Sequence, residues 1–240
     1  IAEHYNLSVI EDAAQALLST YKGRFLGTIG HFGCLSFHET KNIISGEGGA
    51  LLINDKRFIE RAEVIREKGT NRSQFFRGQA DKYTWVDIGS SFLPGELVGA
   101  FLYAQLEEAE KIISARCRKF NLYHTLLLPL ERKGLVRLPF IGSDCSCNGH
   151  LFYIITGGIE ERSRLIEHLK RNDVLAVFHY VPLHSSPAGQ RYGRVSGDMH
   201  VTDDLSKKIL RLPLYYELTE EQVSRVVELI NGFYLGRAAS

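Results

Sequence analysis

The sequence predicts an α/β fold, with a larger domain over residues 1–125 followed by a smaller α/β domain over 126–240. Three observations carry this. Short β-prone runs alternate with segments whose apolar residues recur at helical spacing. Hydrophobic residues make up 44% of 240 positions, enough for a sizeable core. Near residue 125 a long helical pattern gives way to shorter strand and helix patterns.

In chain order, Leu7 to Glu11 reads as a strand that ends on carboxylates, where open α/β sheets place ligands. Ser19 to Phe25, with Lys22-Gly23 at its middle, reads as a hairpin piece. Gly33 to Phe37 is a further strand, followed by the polar stretch His38 to Asn42. Gly46-Glu47-Gly48-Gly49 is a tight loop, and Ala50 to Ile53 a buried-type strand. A helix follows, capped by Asn54 or Asp55, with Phe58, Ile59, Ala62 and Ile65 on one face and Gly69 at its end. Thr70 to Ser91 is long, polar and aromatic, as functional loops are. Pro94 suits the first turn of a helix running from about Gly95 past Arg118. In the smaller domain Leu151 to Thr156 and Val174 to Tyr180 read as strands, and Glu160 to Asn172 and Thr219 to Tyr234 as helices.

Composition narrows the function classes. A net charge of +1 excludes a polyanion binder driven by bulk electrostatics. No apolar run reaches about 18 residues, so no membrane span is expected. No basic-then-apolar leader opens these residues, and four cysteines do not make a disulfide framework, so a cytoplasmic location is expected. The single methionine is Met199, and Ile1 to Tyr5 reads as the end of a helix. The expectation is therefore a chain truncated at its start.

Several residues can carry chemistry. Asp12 follows a strand and Gln15 lies three residues on; the same pattern also serves as a helix cap. Lys41 stands in Ser36-Phe37-His38-Glu39-Thr40-Lys41-Asn42, beside a strand end and before glycines. A deprotonated lysine there could trap a carbonyl, while most lone lysines are solvent-facing. The glycine loop lacks the Gly-Lys-Ser/Thr of a phosphate-cradling loop. The stretch Arg66 to Trp85 has five basic residues against Glu67 and Asp81. Arg77 could clamp a diphosphate bidentately and Tyr83 could stack on a nucleobase, or the loop is solvated and anchored by its aromatics. His179, Tyr180 and His184 follow a strand in the smaller domain, as substrate contacts or as structural residues. Cys145, Cys147 and His150 lack the second pair that a zinc site requires, so no metal is expected.

Taken together, VIEDAAQA (Val9 to Ala16), SFHETKN (Ser36 to Asn42) and GEGGALLIND (Gly46 to Asp55) resemble the sugar-nucleotide aminotransferases, a branch of the fold-type I pyridoxal 5′-phosphate enzymes. The resemblance extends through VFHYVPLH (Val177 to His184) and LRLPLYYELTEEQ (Leu210 to Gln222). It implies that residues 1–125 are the C-terminal portion of a three-layer cofactor-binding domain. Residues 126–240 would be the small C-terminal domain. Lys41 would hold the cofactor covalently and then shuttle the proton of the amino donor. Asp12 would keep the pyridine nitrogen protonated, Gln15 would bond near the ring's phenolic oxygen, and Ser36 would bond the phosphate. The resemblance gives His38 no role, and places His179, Tyr180 and His184 near the active-site mouth.

The implied reaction is transamination of a dTDP-4-keto-6-deoxy-hexose, with glutamate as donor, in a homo-oligomer whose sites lie at a subunit interface. No nucleic-acid or membrane partner is implied. The stretch Arg66 to Ser91 narrows the resemblance toward enzymes that make 4-amino-4,6-dideoxy sugars. Relatives that are dehydratases carry histidine in place of the lysine, and Lys41 is present. The rivals are a transaminase for another keto sugar nucleotide and a truncated, non-catalytic paralogue. Two departures stand out: Ser90 to Pro94 has no asparagine where relatives reach the partner's cofactor phosphate, and Val98-Gly99 replaces Gln-Ala.

Overall fold

The computed structural model describes residues 1–236. It divides into two compact units, Ile1–Ile112 with Ser143–Asn148, and Ile113–Gly142 with Gly149–Ser240. The sequence reading put the change of character near residue 125, inside a helix that contributes residues to both units.

The first unit is built on a three-stranded sheet, β1 (Ile10–Asp12), β4 (Phe32–Ser36) and β5 (Gly49–Ile53), in the order β1-β4-β5. β1 and β4 are parallel, with Asp12 opposite Cys34, and β5 is antiparallel to β4, with Gly49 opposite Ser36. A small antiparallel sheet joins β2 (Thr20–Tyr21), β3 (Arg24–Phe25) and β6 (Cys145–Ser146) in the order β3-β2-β6. Lys22 and Gly23, both with positive φ, make the hairpin turn read from the sequence. β1 is shorter than the predicted Leu7–Glu11 strand. Val9 turns its backbone to His31 instead, donating to Nδ1 and accepting from the His31 and Phe32 amides.

Side chains alternate across a sheet, so Asp12, Cys34 and Ser36 share one face of β1 and β4. On the other face, Gly33 meets the loop that precedes β4. A Cβ on Gly33 would sit 2.1 Å from the Gly27 carbonyl oxygen, so only glycine admits this contact. The loop is held from below by Glu11, whose Oε2 accepts from the Gly27 amide at 2.8 Å and whose Oε1 accepts from Ile29 at 2.6 Å and Gly30 at 2.5 Å. Partial desolvation works to raise the Glu11 pKa. The three amides and the charge of Arg24 outweigh it, and the carboxyl titrates below its ordinary value.

A depressed carboxyl contributes stability that is present above its unfolded pKa and lost as pH falls through the folded one. Glu11→Gln sets an amide nitrogen against a backbone N–H. It is expected to lower stability by about 1–2 kcal/mol at neutral pH. In urea melts the gap to the unsubstituted protein should close in acid; a gap independent of pH would show that charge plays no part.

Asp55 accepts from the Arg57 amide and starts a short turn into α1 (Ile59–Arg66). Val64 is the buried residue of α1, whereas Ile59 and Ile65 of the predicted apolar face are exposed. Residues 70–91 hold a short α2 (Arg72–Phe76). The predicted helix from Gly95 past Arg118 is two helices, α3 (Glu96–Glu107) and α4 (Ala109–Arg132). Glu108 leaves helical geometry between them. Pro94 precedes the N-cap Gly95 rather than sitting in the first turn. No residue of α3 is buried, while in α4 Ala109 and Ile112 are.

In the second unit α4 carries on well past Arg118, because Phe120, Tyr123, Leu127 and Leu130 extend an apolar stripe with spacings of three and four residues, all of it buried. The sheet here is antiparallel, in the order β7-β9-β8. Its strands are β7 (Phe152–Ile155), β8 (Val177–Phe178) and β9 (Ile209–Leu212). α5 (Ile159–Lys170) packs on β9, and α7 (His200–Lys208) and α8 (Glu220–Leu235) pack on α5; the short α6 (Pro187–Tyr192) lies against the turn Leu183–Ser185.

β8 is two residues long where seven were predicted. The Val174 amide closes the end of α5 by donating to Leu169, which removes the first half from the ladder. α8 starts where the sequence placed it, with Thr219 and Gln222 forming a capping box. Phe152 stacks on Tyr123 at 5.0 Å in the core. Among the described residues no helix is long and apolar enough to cross a membrane.

Candidate functional site

The first unit gathers the residues singled out for chemistry. Asp12 ends β1 and Ser36 ends β4, so a carboxylate and a hydroxyl stand at the carboxyl ends of two adjacent parallel strands. That end of a parallel pair is where crevices for ligands form. The chain leaving β1 bends at once: the Ala14 amide donates to Asp12 Oδ1 at 3.1 Å, and the Ala16 amide to the Ala13 carbonyl. Asp12 thus serves the local turn with one oxygen and remains exposed, as does Gln15.

Lys41 lies in the loop that follows β4. Backbone bonds tie this loop to itself: the Phe37 amide donates to Gly48, Glu39 to Gly46, Ser45 to Phe37 and Lys41 to His38. Gly46 takes a positive φ of 81°, which the return of the loop requires. Asn42, Ile43 and Ser45 are buried and anchor the loop from within. The lysine beside them is half-buried, and its Nζ makes no hydrogen bond or ion pair among the described residues. His38 Nδ1 lies 2.9 Å from the Thr40 hydroxyl, and its Nε2 is 3.7 Å from Glu47, so His38 serves the loop.

The loop after α1 is ordered by its own contacts. Gly69 and Gly89 pack backbone to backbone; a Cβ on Gly89 would sit 2.1 Å from the Gly69 nitrogen. Arg77 forms a bidentate pair with Glu63 of α1, both contacts at 2.7 Å, and its Nε donates to Gln79. The carboxylate raises the Arg77 pKa, and the guanidinium lowers that of Glu63. Arg77 therefore joins the loop to α1. Tyr83 packs against Phe75 at 5.7 Å and is otherwise exposed, and the Trp85 indole donates to the Asp87 carbonyl.

In the second unit His179 and Tyr180 meet edge to face at 5.3 Å just after β8. Burial, with the nearby charge of Arg211, lowers the His179 pKa, and its Nδ1 is buried without a hydrogen-bond partner among the described residues. Arg211 lies over the Tyr180 ring at 5.6 Å. His184 Nε2 is bonded to Asp203 of α7 at 3.0 Å. Among the described residues no three His, Cys, Asp or Glu side chains gather as a metal centre requires.

Two residues near these candidates carried no signal in the sequence. Arg211 sits in an apolar strand, and Asn148 reaches the first unit's loops from more than 100 positions away in the chain.

Residues 1–231 match the model of the DegT/DnrJ/EryC1/StrS aminotransferase family. The chain is 31% identical over 237 residues to the GDP-perosamine synthase of Escherichia coli O157:H7, covering 98% of this chain and 60% of that protein. It is 28% identical over 237 residues to the dTDP-3-amino-3,4,6-trideoxy-alpha-D-glucose transaminase of Streptomyces venezuelae, covering 96% of this chain and 57% of that one. A crystal structure of a DegT DnrJ EryC1 StrS aminotransferase from Brucella abortus superposes with a TM-score of 0.83 at 27% identity, over 97% of this chain and 58% of that chain. The chain thus spans about 60% of the length of the curated relatives it matches. The family's aminotransferases depend on pyridoxal 5′-phosphate, and the mixed α/β fold is that of the fold-type I transferases. With residues 1–231 of its 240 matched by the family model, the chain belongs to the DegT/DnrJ/EryC1/StrS aminotransferases.

Proposed function

We propose that the whole protein is a pyridoxal 5′-phosphate-dependent transaminase that converts a dTDP-4-keto-6-deoxy-hexose to its 4-amino sugar, with glutamate as amino donor. The observation that carries the reading is the meeting of Asp12, Ser36 and the Lys41 loop at one end of the β1–β4 pair. The stretch Arg66 to Ser91 favours the dTDP-4-amino-4,6-dideoxygalactose transaminase of enterobacterial common antigen synthesis as the specific enzyme. We further propose a cytoplasmic homodimer or larger assembly.

The residues present fit the cofactor. The site offers an exposed carboxylate, a hydroxyl at a strand end and a lysine amine without a partner among the described residues. When bound, the cofactor supplies a carbonyl carbon for amines and a ring that accepts electrons. Lys41 would hold that carbon covalently, and its Nζ would move the proton at the donor's α-carbon. Asp12 holds the proton on the pyridine nitrogen. Ser36 donates to the phosphate, and the Gln15 amide donates to the phenolic oxygen. Tyr83, exposed and backed by Phe75, offers a face to the nucleobase. Arg77 reaches a diphosphate only by giving up Glu63, so its part in binding is to set the loop. His179, Tyr180 and His184 are proposed to contact the sugar.

The test is incubation of the purified whole protein with dTDP-4-keto-6-deoxyglucose and 15N-glutamate. The expected result is one equivalent of 2-oxoglutarate for each 15N-amino sugar, with the nitrogen at C4 by NMR. Nitrogen at C3, or turnover only of a GDP-linked keto sugar, would overturn the substrate assignment. No transfer to any keto sugar nucleotide would point to a non-catalytic paralogue.

A further inference from the structure

The β1–β4 ladder fixes Asp12 against Cys34, but it does not reach Gln15 or Lys41, which lie beyond the strand ends. Both segments instead meet at Asn148. This residue follows β6, whose backbone is fixed by pairing with β2 and by a 2.7 Å contact between the Thr20 and Ser146 hydroxyls. The Asn148 side-chain amide donates both its hydrogens to backbone carbonyls, those of Gln15 at 2.9 Å and Leu17 at 2.9 Å. The Asn148 backbone carbonyl accepts from the side-chain amide of Asn42, again at 2.9 Å. Asn42 adjoins Lys41 in the chain, and Asn42 and Asn148 are 8% and 4% exposed.

We propose that Asn148 is a positioning residue for transamination, holding the Lys41 loop and the Asp12–Gln15 segment in register with each other. The inference rests on the reading given under the preceding heading. Its chemistry is specific to asparagine at this position. Aspartate has the same shape and no donor, serine has one donor at most, and glutamine is one methylene too long for a buried site. Water does not substitute readily where both partners are buried, and each carbonyl left without a donor pulls the segment toward solvent. A displacement of about 1 Å between a lysine and the groups that hold its partner is enough to slow chemistry by up to about a hundredfold.

The test compares Asn148→Asp and Asn42→Ala with the unsubstituted whole protein. Each is stripped of cofactor and titrated with pyridoxal 5′-phosphate, and the fraction fixed to Lys41 after borohydride reduction is read by mass spectrometry. Thermal melting without cofactor is recorded alongside. Both variants are expected to bind cofactor about tenfold more weakly or worse and to show a reduced Lys41-linked fraction, with Asn148→Ser between them and the parent. If Asn148→Asp fails to fold, Asn42→Ala alone decides, since it cuts the linkage from the other side. Lower melting temperatures with cofactor affinity within twofold of the parent would reduce Asn148 to a structural residue and overturn the proposal. If the parent itself takes no cofactor on Lys41, the transaminase reading falls and this proposal falls with it. Normal loading of the parent and of both variants overturns this proposal alone.

Discussion

Lys41→Ala in the whole protein is expected to lower kcat by about a thousandfold or more, because under the proposed function one side chain would both hold the cofactor and move the α-proton. The fold should be unaffected. Lys41 Nζ makes no bond among the described residues, and the loop is held by its backbone and by Asn42, Ile43 and Ser45. Borohydride reduction followed by peptide mapping should place the cofactor mass on Lys41 in the parent and nowhere in the variant. Added small amines should restore part of the proton transfer without restoring the covalent label. Cofactor mass on another lysine, with turnover intact, would overturn the assignment.

The second large effect is on stability. Arg116 of α4 is buried, and its guanidinium donates to three backbone carbonyls of the second unit, from Nε to Gly149 at 3.0 Å and from Nη2 to His150 at 2.6 Å and Leu214 at 3.0 Å. Burial pulls its pKa down to about 10, against the opposing pull of Cys117 and Glu217, so the group is still charged at neutral pH. The Gly149 turn packs against this arginine's own backbone, where a Cβ would come within 2.9 Å. Arg116→Met keeps most of the stem and leaves three carbonyls without their donor. The expected loss is about 3 kcal/mol or more, a large fraction of the stability of a domain this size. Arg116→Lys should recover only part of it, since an ammonium does not span the same fork. Urea melts followed by circular dichroism measure both, and a loss for Arg116→Met below about 1 kcal/mol would show that water replaces the guanidinium.

Local signals made much of this legible in the sequence. The Lys22-Gly23 turn, the β4 and β5 strands and the Thr219 cap follow from residue type and short-range spacing, and each stands within a residue or two of its expected place. The strand-end places of Asp12 and Ser36, with Lys41 in the loop after Ser36, are legible because each lies in a short contiguous motif. What the sequence did not announce depends on distant partners. β9 looks like one more apolar run and becomes the central strand only by pairing on both sides. The break at Glu108 follows no proline or glycine. Leu97 and Phe101 continue a helical stripe in sequence yet are exposed, so periodicity marked the helix but not what it packs against. Arg77 read as a cation for phosphate, and its bidentate hold on Glu63 is visible only in three dimensions.

The back-to-back contact of Gly27 and Gly33 has a consequence for how the sheet finds its alignment. A one-residue slip of β4 would bring Phe32 or Cys34 to the place where even a methyl group is too large, so misaligned pairings are rejected by steric exclusion before side-chain chemistry can discriminate among them. The same slip would turn Ser36 to the reverse side of the strand, away from Asp12. A residue with no side chain thus acts as a gauge, and correct placement of the hydroxyl beside the carboxylate is selected during folding by a collision on the opposite surface.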